Sequence, residues 1–371
     1  MNAKTNKQVL TVNTEQASRI IALCWKAQGV ARKNRIPVTT GCALVGPTGT
    51  AKSSVVRTVV EELAAKHPTE GFTYWMASLA LMLDSGDLGC PVPDQKRKIM
   101  EYFTAGHWPF GKPEAKGIFC FEELDRCPVE IQRGAAHIML EGELHGQKLG
   151  DKVFCCATMN GTSDIATEEL SEHIRTRMVT VFLDRNAAGS SDAYDKWADG
   201  RGLSVTRRAF NRYNRDALAD APEFAEMAVC NDRTLDMADC ILQASRAVQF
   251  PTDDIVMPAI AGCIGVGPAA RYMATDKLVN EAPDPEACIA DPMGSKVPEN
   301  VSTCYALSLA IAGCIADTVE RPRLQGAAKY LARLQPALAA VAFKTISDKN
   351  PRIWTVKESL DWQNEHKALL L

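Results

Sequence analysis

Gly46-Pro47-Thr48-Gly49-Thr50-Ala51-Lys52-Ser53 is the stretch on which the fold turns. Before it, Cys42-Ala43-Leu44-Val45 is a short apolar run that predicts a buried strand. After it, from Ser53 to Lys66, apolar residues fall at helical spacing: Val55, Val56, Val59, Val60, Leu63 and Ala64. Strand, glycine-bearing turn and helix together make a phosphate cradle. Loop and helix N–H groups point at anionic oxygens, and the helix dipole adds to the attraction. Gly46 to Ser53, with Ser54 behind them, are the candidate binding residues. Lys52 can neutralise β/γ-phosphate charge and Ser53 can place its hydroxyl on Mg²⁺. Ala51 stands where the motif asks for glycine. Its methyl group is tolerated if that position does not need φ > 0. A bare glycine turn between any strand and any helix is the plainer alternative, and the placement of the octet favours the phosphate site.

Further along, Phe72 to Met76 predicts a second strand and Gly117 to Phe121 a third, strongly apolar one. Val153 to Met159 and Met178 to Leu183 predict two more. Helices are expected from Thr14 and over residues 129–141, with a small hairpin at 142–150 and loose chain at 1–13. Residues 77–116 carry turn-rich stretches and read as a long irregular segment. The expectation is an α/β core, a five-stranded parallel sheet with helices, over residues 1–186. Residues 187–371 then read as an all-α region, with helices at 234–248, 255–263, 302–319 and 325–343.

The third strand ends in Glu122-Glu123. Two acids at the end of an apolar strand are costly unless a cation sits there. Glu122 is the candidate Mg²⁺ residue and Glu123 the one that activates water; a solvated strand end is the alternative. Asn160, after the next strand, can hold a γ-phosphate and the attacking water, or simply form a turn. Arg175 and Arg177 precede the last strand. Either can stabilise transition-state charge on a neighbouring molecule's phosphate, with Arg177 favoured, or pair with Glu168, Glu169 or Glu172. Arg233, at the start of a predicted helix, either reaches over a nucleotide or belongs to an ordinary capped helix.

The chain has 371 residues, 46% hydrophobic and 23% charged, enough for two or three domains. A net charge of −3 gives no global field favouring nucleic acid or an anionic membrane. No apolar run approaches the roughly 18–20 residues that span a bilayer, and no signal peptide is expected. Thirteen scattered cysteines, without C-x-x-C or zinc-type spacing to the six histidines, read as reduced thiols in a cytoplasmic protein.

Taken in order, these motifs resemble AAA+ ATPases, and within them the MoxR type. The resemblance rests on Gly46–Ser53 (Walker A), 118–123 (Walker B), Asn160 (sensor 1), Arg175/Arg177 and Arg233 (sensor 2). Ile118 through Leu140, with Glu122 to Pro128 followed by a Gln-containing helix, and the stretch from Asp84 to Pro93 are similar to segments of the MoxR type, the latter where such proteins carry an insertion in the helix after the second strand. The resemblance implies ATP and Mg²⁺ as cofactors and a homo-oligomeric, most often hexameric, ring with sites between subunits. It also implies a von Willebrand factor A-domain partner and chaperone-like work on a protein client. A nucleic-acid motor of the same clade and a nucleotide-switched scaffold that does not turn over are the competing readings.

Overall fold

In the computed structural model, residues 10–36, 41–161, 170, 172–184, 186, 187, 189–218 and 228–370 are described. Two compact units divide the chain, Met1–Ala193 and Tyr194–Leu371.

The first unit is built on a six-stranded sheet. Its strands are β1 (Thr11–Val12), β2 (Cys42–Val45), β3 (Thr73–Ser78), β6 (Lys116–Glu122), β9 (Lys152–Met159) and β10 (Val179–Leu183), in the order β1-β10-β2-β9-β6-β3. Every pairing is parallel. Helices α1 (Thr14–Lys33) and α2 (Lys52–Lys66) cover one face. There Cys42, Leu44, Ile118, Cys120, Phe154 and Cys156 meet Ile21, Val55, Val56 and Val59. Helix α3 (Val129–Glu141) covers the other, where Ala43, Val45, Phe119, Phe121, Cys155 and Ala157 meet Ile131, Ala135 and Ile138. Burial on both faces is why these strands read as unbroken apolar runs.

The five expected strands are all present, and the α/β class with it. The sixth, β1, lies in the stretch expected to be loose; it pairs with β10 through Thr11 and Val12. Asn13 then caps α1. Its side chain accepts from Gln16 N at 2.9 Å while its own N–H donates to Gln16 Oε1 at 3.0 Å.

The segment expected to be irregular instead forms an antiparallel hairpin, β4 (Cys90–Asp94) and β5 (Ile99–Phe103). Pro91 and Pro93 hid it, because proline lacks the ladder N–H. They sit opposite Tyr102 and Met100, at alternate positions, so the missing donors fall outside the hydrogen-bonded pairs. A smaller hairpin, β7 (Glu143–Leu144) and β8 (Gln147–Lys148), follows α3 as expected. Before β10 comes the short α4 (Glu172–Arg175).

The second unit is helical among the described residues. Its chain begins within α5 (Ser190–Asp199) and continues through α6 (Val205–Tyr213), α7 (Asp232–Val248), α8 (Met257–Ile264), α9 (Val266–Asn280) and α10 (Pro285–Ala290). It ends with α11 (Val301–Cys314), α12 (Arg321–Leu331), α13 (Pro336–Lys349), α14 (Lys357–Glu365) and α15 (Lys367–Leu370). The single helix expected over 325–343 is two, because Pro336 cannot continue a helix and opens α13 at its first turn. The helix expected to reach Val319 ends at Cys314.

The second unit also buries charge. The Arg207 side chain is fully buried. It donates to Asp236 Oδ1 at 2.8 Å and Asp232 Oδ1 at 3.1 Å, and its guanidinium lies 4.6 Å from the Tyr194 ring centre. Burial raises the Asp236 carboxyl above its ordinary pKa, and the Arg207 charge opposes that shift. Arg207→Leu strands both acids, and the expected cost is about 3–5 kcal/mol. A thermal unfolding midpoint near that of the wild type would contradict it.

Candidate functional site

Parallel pairing brings the carboxyl ends of β2, β9 and β6 to one edge of the sheet. Ligands of open α/β sheets collect at such an edge. Val45 pairs with Met159, and Phe121 with Ala157, so the next residues leave the sheet side by side. Those residues are the Gly46 loop, Asn160 and Glu122-Glu123.

The loop closes tightly. Gly46 N donates to Met159 O at 3.2 Å. A Cβ on Gly46 would lie 2.9 Å from Leu183 O, so only glycine lets the loop cross the end of β10. Thr50 Oγ1 donates to Pro47 O at 2.7 Å, and Gly49 turns the chain at φ 82°. Helix α2 then starts from Ala51, with no side chain capping its N-terminus. Its first N–H groups are the orphan donors that bind anions.

Ala51 has φ 61° and ψ 23°, in the left-handed region. The condition under which alanine would be harmless is therefore not met. The position does need φ > 0, and alanine holds it at a cost of about 1–2 kcal/mol.

Lys52 is buried at 9% exposure. Its Nζ donates to Gly46 O at 2.7 Å, Pro47 O at 2.9 Å and Asn160 Oδ1 at 2.9 Å. The first and last of these tie the loop after β2 to the end of β9. Ser53 and Ser54, in the first turn of α2, are half-buried.

Glu122 alternates with Ile118 and Cys120, which face the α1 and α2 layer, so it stands on the same side of the sheet as Ser53. Tyr74 Oη donates to Glu122 Oε1 at 3.1 Å. Burial, next to the Glu122 carboxylate, pushes the Tyr74 phenol far above its ordinary pKa, so it remains a donor. The Arg57 guanidinium lies 5.2 Å from the centre of the Tyr74 ring.

Glu123 is also left-handed, at φ 58° and ψ 45°. Its N–H donates to Thr158 Oγ1 at 3.2 Å, and its carboxylate lies 3.7 Å from Arg126 Nη1. A 3₁₀ turn, Leu124–Arg126, follows. It carries Asp125, only 3% exposed, whose Oδ2 accepts from Asn160 N at 2.7 Å and Gly161 N at 2.8 Å. Among the described residues, the buried Asp125 Oδ1 and Asn160 Nδ2 have no hydrogen-bond partner.

The other candidates lie elsewhere. Arg175, exposed at the end of α4, and half-buried Arg177 precede β10. Val179 pairs with Cys42, at the amino end of β2, so both arginines belong to the edge opposite the Gly46 loop. The alternative partners Glu168 and Glu169 lie outside the described residues. Arg233 is exposed in the first turn of α7, in the second unit. That helix has its own capping box, Asn231 with Thr234.

Sequence reasoning did not assign Asp125, Thr158 or Tyr74. Only Asp125 left a signal, a carboxylate within an apolar turn right after the two glutamates. The set as a whole offers donors to an anion, oxygens to a hard cation and a carboxylate next to both. Among the described residues, no group of three or more histidine, cysteine, aspartate or glutamate side chains is arranged to hold a metal by itself. No helix among them is long and apolar enough to cross a membrane.

The sequence matches no protein-family model and no curated protein. Solved structures similar to it include a RuvB mutant from Thermotoga maritima, at 13% identity over 84% of this chain and 88% of that one, TM-score 0.40. The Thermotoga maritima RuvB Holliday junction branch migration motor aligns at 15% identity over 84% and 87%, TM-score 0.35. A putative ATPase from Cytophaga hutchinsonii aligns at 15% identity over 68% and 69%, TM-score 0.33.

Ala51→Gly relieves the left-handed strain, partly offset by a freer unfolded chain. The expected gain is about 1 kcal/mol in urea unfolding. A loss of stability would show that the methyl group makes a favourable contact outweighing the strain.

Proposed function

We propose that this chain is a P-loop ATPase of the AAA+ class, of MoxR type, hydrolysing ATP at the interfaces of a homo-oligomeric ring. The observation that carries the reading is the hydrogen bond from Lys52 to Asn160. It joins the phosphate loop to the end of the strand beside Glu122-Glu123. Lys52 and the N–H groups of α2 would hold the phosphates. Ser53 and Glu122 offer hard oxygens on one face of the sheet and would hold Mg²⁺, which when bound neutralises phosphate charge. Glu123 would take the proton of the attacking water, which Asn160 orients. Arg177, or Arg175, would act on the neighbouring subunit's nucleotide, and Arg233 would close over the chain's own.

The same reading makes the second unit the lid and helical extension, with the core ending near residue 186. It assigns the work to chaperone-like remodelling of a protein client, with a von Willebrand factor A-domain partner and a hexameric ring. The thirteen cysteines, none in a disulfide, suit a reducing cytoplasm.

ATP hydrolysis by wild type, Lys52→Ala and Glu123→Gln, each sized by light scattering with and without ATP, tests the reading. Lys52→Ala should lose ATP binding. Glu123→Gln should bind ATP, hold the ring and turn over at least about 100-fold more slowly. Unchanged ATP affinity in Lys52→Ala rejects the phosphate loop. A wild type that assembles with ATP but releases no phosphate replaces the motor with the nucleotide-switched scaffold. Turnover stimulated by DNA and falling with salt replaces the protein client with nucleic acid.

Arg177→Ala should keep ATP affinity and lose about 1,000-fold in turnover. Mixing it with Lys52→Ala should restore part of the activity, because mixed rings contain interfaces with one intact loop and one intact arginine. Wild-type turnover by Arg177→Ala moves the role to Arg175 or removes it.

A further inference from the structure

We infer that Asp125 and Thr158 are positioning residues that lock Glu123 and Asn160 into one catalytic pair, and that Asp125 sets the discrimination between ATP and ADP. This rests on the nucleotide reading of the site.

The ladder between β6 and β9 stops short of the site. The last register pair between β6 and β9 is Phe121 with Ala157. Beyond it the two strand ends have no ladder to hold them together, yet they carry the residues that must act on the same water. Two reciprocal side-chain contacts replace the ladder. Thr158, from β9, accepts the N–H of Glu123. Asp125, from the turn after β6, accepts the N–H groups of Asn160 and Gly161. Each strand end supplies the acceptor for the other's backbone donors. Asp125 is 3% exposed and Thr158 2%, so water competes poorly for either contact. A carboxylate accepting two backbone N–H groups makes the stronger, charge-assisted kind of bond.

The brace decides what Asn160 can offer. An ammonium only donates, so the atom facing Lys52 must be the amide oxygen. The amide nitrogen is then turned away from Lys52, buried and without a partner among the described residues. An unmet buried donor is costly. A γ-phosphate oxygen would satisfy it, and ADP has none to give. With its backbone pinned by Asp125 and its side-chain oxygen pinned by Lys52, Asn160 cannot turn this donor elsewhere. The donor thus reads the third phosphate. Glu123 is held at φ 58°, a conformation glutamate rarely adopts, and the Thr158 hydroxyl is one of the contacts that keep it there.

The test uses the full chain and measures ATP and ADP affinity by titration calorimetry together with kcat. Asp125→Ala should lower kcat about 100-fold, as loss of a preorganised donor does. It should weaken ATP about tenfold and leave ADP within about twofold, because about 1.4 kcal/mol of one hydrogen bond is lost for ATP alone. Asp125→Asn, which keeps one acceptor oxygen, should recover part of both. Thr158→Val should lower kcat with neither affinity moved. Equal weakening of ATP and ADP by Asp125→Ala would reveal a general structural role and overturn the proposal, as would a wild-type kcat. If Asp125→Ala does not fold, Asp125→Asn and Thr158→Val decide alone: wild-type kcat in both overturns it. A wild type that binds neither nucleotide overturns the functional reading itself, whereas normal wild-type turnover with unaffected variants overturns only the brace.

Discussion

A buried ammonium must find acceptors, and Lys52 finds them in three oxygens from two strand ends. Burying such a charge without partners would cost far more than a domain's net stability. The Gly46 and Pro47 carbonyls and the Asn160 amide therefore cannot drift independently. Asn160 in turn is fixed by Asp125, Asp125 by the turn that follows Glu123, and Glu123 by Thr158. One cation thus organises a closed chain of contacts through the ends of β2, β9 and β6. Tyr74 extends it to β3 by holding Glu122.

Strain gathers at the same edge. Ala51 and Glu123 are two of the described non-glycine residues with φ > 0, and they flank the site from the loop and from β6. Such conformations persist where the surroundings over-determine them, and they collect at sites of function. The two differ in what they hold. Ala51 is the turn residue that releases α2 with its N-terminus uncapped, so its strain exposes donors. Glu123 departs from the alternation of the strand, so its strain redirects a carboxylate that would otherwise point into the α3 layer with Phe119 and Phe121.

The sheet was legible because its strands are buried on both faces and so read as unbroken apolar runs. The turn from β2 into α2 was legible because glycine and lysine spacing reports a local turn. Glu122-Glu123 and Asn160 stood out as polar residues ending apolar strands. What failed to show was of two kinds. Prolines Pro91 and Pro93 disguised a hairpin whose geometry tolerates them, while Pro336 divides a helix that apolar spacing alone reads as continuous. The contacts of Asp125, Thr158 and Tyr74 are tertiary: Asp125 meets a residue 35 positions further along, Asn160. No local pattern encodes such a pairing. The backbone angle of Ala51 is likewise set by how β2, β10 and α2 close around the loop, not by alanine's own preference.

Parallel topology imposes the last constraint. Every strand of the sheet points its carboxyl end at the Lys52 edge, so anything that enters β10 does so at the other. Arg175 and Arg177 enter there. Crossing the five residues of β10 takes about 15 Å, and an arginine side chain reaches less than half of that. Neither arginine can therefore serve the loop of its own subunit by a change of rotamer. If they serve a phosphate at all, it is one that another copy presents to the amino-terminal edge. A sheet that gathered phosphate ligands at one edge and guanidinium groups at the other would be complementary to itself head to tail. Repetition of that contact closes a ring when the rotation allows it, and in such a ring each site would draw its loop and acids from one subunit and its arginine from the next.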